Sequence, residues 1–481
     1  MSLFRKKSLA SLMSQADDHG SGLKRTLDAK NLIALGIGAI IGAGLFVRTA
    51  AAAAEAAGPA VTLSFIFAAI GCAFAGLCYA EFAAMIPIAG SAYTYAYATM
   101  GELVAWTIGW ALILEYALGA ATVSIAWSEY LNNLLGGVIP YEWCHSPFEV
   151  SAAGVHGMLN APALLILLIL TAILIKGTRE SANLNNIIVA VKVAIVLIFI
   201  AVGWQFINPA NQTPYLIPEG TPGHERFFSH GWGGIVGGAG IVFFAFIGFD
   251  AVSTAAQEAK RPERDMPIGI MGSLAVCTVL YILFGHVLTG VGNWQEFAMA
   301  GKEASVVYTI QHHMPGYEWL APLVTVAILA GFSSVILVML LGQSRVFYSM
   351  ANDGLLPKLF SELHPKFRTP YKSNMVLFVF VGLFAAFIPG SIAGDLTSIG
   401  TLFAFVLVSA GVWIMRRTDP DVRRPFRAPL VPLVPLLGIL ICVGMIIGLD
   451  PNTQITAVGW MLLGFLVYFG YSRNKSKLSK Q

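Results

Sequence analysis

Charge is what this chain most lacks: only 11% of its 481 residues are Asp, Glu, Lys or Arg, against roughly a quarter in a soluble domain. Hydrophobic residues make up 57%, more than a water-soluble core absorbs. Polar breaks are short from Leu32 to Tyr471, so the chain reads as one membrane domain rather than a string of soluble ones. A net charge of +3 does not point to nucleic acid. Cysteine is scarce as well. Of Cys72, Cys78, Cys144, Cys277 and Cys442, only Cys144 falls in a predicted loop, so no disulfide framework is implied. Residues 1–30 carry Arg5, Lys6, Lys7, Lys24 and Arg25 but no apolar core, which excludes a signal peptide and predicts a cytoplasmic tail. Enzymatic signatures are missing too. His224-Glu225 lacks the second histidine of a zinc-protease helix, no G-x-S-x-G occurs, and the nine histidines form no short ligand cluster. Neither an enzyme nor a cofactor or metal is expected.

What is present is a succession of apolar segments, near 32–54, 59–86, 102–131, 160–176, 184–206, 232–257, 267–291, 318–350, 375–389, 396–415, 430–448 and 455–471. A helix needs about 20 residues to cross the hydrocarbon core. Twelve transmembrane helices are therefore predicted, with the ends of 375–389 running further than its apolar run. Of the 29 Lys and Arg, all but Arg48, Lys192, Arg226 and Lys302 fall in the two terminal regions or in alternate connections and helix ends. Cations are retained on the cytoplasmic side of short loops, so both termini are predicted to be cytoplasmic.

Two segments are interrupted by glycine at corresponding places: Gly36, Gly38, Gly42 and Gly44 in the first, and Gly237, Gly238, Gly240 and Gly248 in the sixth. Paired interruptions of this kind mark the midplane site of transporters built from inverted repeats. Gly38-xxx-Gly42 and Gly234-xxx-Gly238 equally suit close helix packing, and glycine alone leaves both readings open.

Gly38 to Phe46, GAIIGAGLF, and Phe243 to Asp250, FFAFIGFD, resemble the two broken-helix motifs of the amino acid-polyamine-cation (APC) transporter superfamily. Ser344 to Pro357, SRVFYSMANDGLLP, and Ser398 to Arg417, SIGTLFAFVLVSAGVWIMRR, resemble its cationic amino acid transporter branch in the twelve-helix bacterial form. The resemblance covers nearly the whole chain. It implies an all-α membrane protein after the tail of residues 1–30, with inverted five-helix repeats at 31–206 and 231–417. Helices eleven and twelve would occupy 428–471 and a short tail 472–481. It also implies alternating access at one central site in the cell membrane, with an amino acid as substrate and lipid as surroundings.

Every free amino acid brings an ammonium and a carboxylate that must leave water together, and unwound backbone can satisfy both. In the arrangement the resemblance implies, the amides of Gly42, Ala43 and Gly44 face the carboxylate at a half-helix N-terminus, where the dipole favours an anion. Carbonyls of Ile40, Phe244 and Ile247 would hold the ammonium. Phe244 matches the aromatic lid of relatives, although a phenylalanine in an apolar helix also serves simple packing.

Lys192 lies in the middle of segment five, at a cost of about 3 kcal/mol on insertion scales. Desolvation disfavours the charged form of a lysine, so this one is a candidate proton switch. The alternative is a permanently charged strut. Ser333 and Ser334 raise the further option of a sodium site. Glu115, in the middle of segment three with no basic neighbour on its own helix turn, is either a partner for a cationic substrate or a protonated packing residue. Asp250 and Glu258 are expected to pair with nearby Lys or Arg. Ala43, Ala245, Ala117, Gly119 and Ala120 leave limited polar surface beyond Glu115, which fits a small neutral side chain such as that of alanine at least as well as a guanidinium. With the candidate switch at Lys192, proton symport of small neutral amino acids is expected, and a uniporter or exchanger of arginine or lysine is the alternative. A channel would be expected to show polar pore rings instead of two broken helices.

Overall fold

The computed structural model describes residues 5–7, 27–86, 91–151, 153–176, 182–256, 259–299, 305–367 and 369–478. Its principal helices are α1 (Ala29–Ile40), α2 (Val61–Met85), α3 (Ser91–Thr99), α4 (Glu102–Ile113), α5 (Gly119–Leu134), α6 (Ala161–Lys176) and α7 (Ala182–Gly203). The second half contributes α8 (Gly231–Val242), α9 (Pro262–Val291), α10 (Leu320–Asn352), α11 (Tyr371–Phe387), α12 (Gly390–Thr418), α13 (Leu433–Gly448) and α14 (Pro451–Val467). Among the described residues, extended pairing is confined to the isolated bridges Leu27–Ala259 and Val150–His156.

Each of the twelve predicted segments is helical over most of its length, because a chain in lipid must satisfy its backbone within the segment. Eight helices among the described residues are long and apolar enough to cross a membrane, and the chain is a multi-pass membrane protein. One of the eight, Gly44–Met85, joins the second half of segment one to the whole of segment two. The short apolar run at 375–389 belongs to α11, which starts earlier, at Tyr371. Three helices in the connections were not anticipated: α3, Trp294–Met299 and Ser305–His313. They are short and lie in the connections, without the long apolar run that announced the others.

Burial sorts the helices into an inner and an outer set. The apolar window of α4 and α5 is wholly covered by the rest of the protein. α14, by contrast, turns Ile455, Val458, Leu462 and Leu466 outward, the last 71% exposed, as befits a lipid-facing helix. It is held by a tryptophan stack in which Trp106, Trp110 and Trp460 lie ring on ring. The indole N–H groups of Trp106 and Trp110 donate to the carbonyls of Gly464 and Trp460 at 2.9 and 2.8 Å, which satisfies the polar tip that makes a buried tryptophan costly.

The first and last described stretches of the chain meet. Arg5 donates to the carbonyl of Leu478 at 2.6 Å, and the amide of Glu102 donates to the carbonyl of Arg5 at 3.0 Å. The buried Glu102 carboxylate collects hydroxyls from Tyr97 and Tyr468, each at 3.0 Å, and from Ser476 at 2.5 Å. Glu81, near the end of α2, takes a bidentate pair from Arg416 at 2.8 and 2.7 Å and the amide of Ala428 at 2.8 Å. Arg424 lies 3.4 Å from the same carboxylate.

Removing one member of a buried ion pair leaves the others uncompensated. Glu81→Ala is expected to destabilise the protein by about 3 kcal/mol, read as a lower melting temperature of the purified protein in detergent. Double replacement of Arg416 and Arg424 by Gln in that background is expected to restore part of the loss.

Candidate functional site

The first break follows directly from backbone conformation. The amide of Ile41 still donates to Ile37 at 2.9 Å, but the chain then leaves the helix with Ile41 at ψ 104°. A wide π-type turn restarts at Gly44–Arg48, and its first bonds run from the amides of Leu45 and Phe46 to the carbonyl of Gly42, at 3.2 and 3.5 Å. The amides of Gly42, Ala43 and Gly44 precede that first bond and are the orphan donors of a helix N-terminus.

In the second break α8 tightens into a 3-10 turn, Phe243–Phe246. Ile247 is extended with ψ 131°, and Gly248 adopts φ +119°, a conformation that glycine alone adopts readily. The amide of Gly248 is taken by the Asp250 carboxylate at 3.2 Å. The two breaks touch. A Cβ on Gly248 would lie 2.9 Å from the backbone of Ala39, and one on Gly44 would lie 2.2 Å from the Cα of Ala245. No side chain fits at either crossing.

The predicted site residues thus fall into one buried region around these crossings. Ile40, Ala43, Phe244, Ala245, Ile247, Glu115 and Lys192 are each no more than 3% exposed, and Gly42 and Gly44 are buried with them. Two of the three predicted carbonyl ligands have protein donors: Ile40 accepts from the Tyr281 hydroxyl at 3.0 Å, and Phe244 from the Ile247 amide at 3.3 Å. Phe243 and Phe246 pack ring to ring against Phe405 and Tyr281. Phe244 enters no such ring pair among the described residues.

Lys192, on α7, extends its ammonium to the carbonyl of Gly38 at 2.8 Å. Its stem lies on Gly331 of α10, where a Cβ would come within 2.9 Å of Lys192 Cε. A narrow crevice lined by Gly42, Phe46, Lys192, Ile195, Ile328 and Phe332 runs beside the first break. The Ser333 hydroxyl is occupied by its own helix, donating to Leu329 at 2.8 Å.

Glu115 occupies a π-type turn, Leu114–Leu118, between α4 and α5, fully buried near Asp250, and its two carboxyl oxygens make no hydrogen bond among the described residues. The expectation that Asp250 pairs with Lys or Arg is overturned: it is fully buried and accepts from the Tyr116 hydroxyl at 2.9 Å and the Gly248 amide. The turn after the break folds it inward, away from the cationic face. Glu258 lies outside the described residues. Sequence reasoning missed Tyr116, Tyr281 and Gly331. Two tyrosines and a glycine in apolar helices carry no local signal that separates a backbone partner from packing.

Two helices interrupted at mid-segment, with their breaks in backbone contact at Gly44 with Ala245 and at Gly248 with Ala39, fit the class of membrane carriers. The chain belongs to the amino acid permease family, which matches residues 27–470, and its activity is amino acid transport. It is 42% identical to the branched-chain amino acid permease BcaP of Bacillus subtilis across all of this chain and 99% of that relative. It is 41% identical to a methylthioribose transporter of the same organism across the full length of both. Identity to the vacuolar cationic amino acid transporter 4 of Arabidopsis thaliana is 33%, over 87% of this chain and 68% of that one.

The crossing of the breaks makes a direct prediction. Gly44→Ala forces a methyl into the backbone of Ala245 and is expected to cost about 1–3 kcal/mol as overpacking, together with transport. Gly459→Ala, on α14 with nothing within 4 Å, is expected to leave melting temperature and uptake unchanged or slightly raised. Paired thermal melts and uptake assays of the two variants check this.

Proposed function

We propose that this chain takes up neutral L-amino acids, from alanine to branched-chain size, by proton symport. The observation that carries the coupling is the Lys192 ammonium on the Gly38 carbonyl, two residues before the first break ends α1. A charge there ties segment five to segment one. Loss of its proton weakens that tie, so proton transfer and helix movement become one event. The substrate carboxylate sits on the amides of Gly42, Ala43 and Gly44, and its ammonium on carbonyls of Ile40, Phe244 and Ile247. Phe244, free of ring partners among the described residues, is the lid. Small residues at Ala43, Ala245 and Ala117 leave an apolar side-chain space, and the full-length likeness to a branched-chain permease supports the neutral class.

In this reading residues 31–206 and 231–417 are the inverted repeats, with their breaks at equivalent places. The face on which the first and last described stretches meet, rich in Arg and Lys, is the cytoplasmic face of the cell membrane by the bias of retained cations. A second reading, a carrier of arginine or lysine driven by membrane potential, is favoured by one observation: Glu115 and Asp250 place two carboxyls together, with no ion pair to Lys or Arg among the described residues.

Purified protein in liposomes, given an inward proton gradient with and without sodium, is expected to accumulate labelled alanine and leucine independently of sodium and to lose accumulation on adding a protonophore. Arginine uptake that follows membrane potential alone would establish the second reading instead. Lys192→Met is expected to abolish accumulation while alanine exchange persists. Normal proton-driven accumulation by that variant would sink the switch.

A further inference from the structure

The Tyr281 hydroxyl lies where the two breaks converge. It is 3.0 Å from the carbonyl oxygen of Ile40 and 2.8 Å from that of Ala245, one on each broken helix. The side chain is fully buried, with its ring held between Phe65 and Phe246 at centroid distances of 5.4 and 5.3 Å. A phenol has one hydrogen to donate. Two carbonyls therefore converge on a single proton, and the pair holds more acceptor capacity than the protein supplies. Without the hydroxyl, two buried acceptors would face each other with no donor, each at a desolvation cost.

We propose that Tyr281 is a positioning residue that stands in for the substrate ammonium while the carrier is empty. It bridges the breaks so that the unloaded protein can close and return. When an amino acid arrives, its ammonium takes over the Ile40 carbonyl and Tyr281 donates to Ala245 alone. The hydroxyl and the substrate thus share one acceptor, and the bond that lets the empty carrier return also weakens binding. This rests on the placement of the ammonium at Ile40 in the proposed function.

Two consequences have opposite sign, which a merely structural tyrosine would not produce. Tyr281→Phe removes the competitor, so amino acid binding tightens by about threefold to tenfold, the order expected for one net hydrogen bond. The same change deprives the empty carrier of its bridge, so net uptake falls steeply while exchange, in which the carrier returns loaded, is kept. Binding of labelled leucine and alanine to purified protein, with net uptake and exchange in liposomes, reads both. Weaker binding, or equal loss of exchange and net uptake, overturns the proposal. If Tyr281→Phe does not purify as a monodisperse protein, 3,5-difluorotyrosine placed at position 281 by codon suppression supplies a stronger donor. It is expected to weaken amino acid binding, and tighter binding overturns the proposal equally. Competition on the unaltered protein keeps the two layers apart. Isocaproate, which is leucine without its amine, is expected not to displace leucine. If it competes as well as leucine itself, the ammonium site fails and the proposal with it. If it does not compete and Tyr281→Phe binds leucine more weakly, only the role of Tyr281 fails.

Discussion

A bilayer offers no water to an unpaired amide or carbonyl, so a helix can be broken in mid-membrane only where something else satisfies the backbone it releases. In this protein the two breaks lie in backbone contact, and side chains from neighbouring helices or from the turn just after the break supply part of that satisfaction. Lys192 meets the carbonyl of Gly38, Tyr281 meets those of Ile40 and Ala245, and Asp250 meets the amide of Gly248. The glycines at the crossings let the two backbones come close enough for a single hydroxyl to reach both. The helices that supply these groups, α7 and α9, are thereby fixed around segments one and six, and the lipid-facing helices pack outside them.

Charge is arranged around that centre on the same principle. Two buried ion pairs sit toward the two ends of one helix, α12. At its start Asp395 holds Arg48 of segment one, with the guanidinium buried. At its end Arg416 holds Glu81 of α2. A buried charge is costly to leave alone, so each pair commits its helices to stay together while it lasts. Between these ends the polar contacts are lighter: hydroxyls, one lysine, and the Asp250 carboxylate with the Tyr116 hydroxyl, near the buried Glu115. Rearrangement at the centre therefore breaks few strong contacts, whereas opening an end breaks an ion pair.

Much of the architecture was legible because apolar run length and cation placement follow from the bilayer itself. Twelve segments, their approximate limits and the interruptions at Gly42–Gly44 and Gly248 all come from patterns local to a stretch of chain. Lys192 also stood out locally, since a lysine in an apolar helix is costly whether it serves as a switch or as a strut. The helices α3, Trp294–Met299 and Ser305–His313 did not stand out, because they are short, lie in the connections and carry no long apolar run.

The partners were another matter. That Lys192 faces Gly38, that Asp250 turns inward to Tyr116 rather than outward to a cation, and that Gly331 makes room for the lysine stem all depend on contacts between residues far apart in the chain. The sequence by itself determined the number of crossings, where the backbone must break and which residue types were too costly to be incidental. Only the tertiary structure decided what completes each break. A hydrogen bond needs two groups within about 3 Å, and that proximity is a property of how the helices pack, not of any one helix.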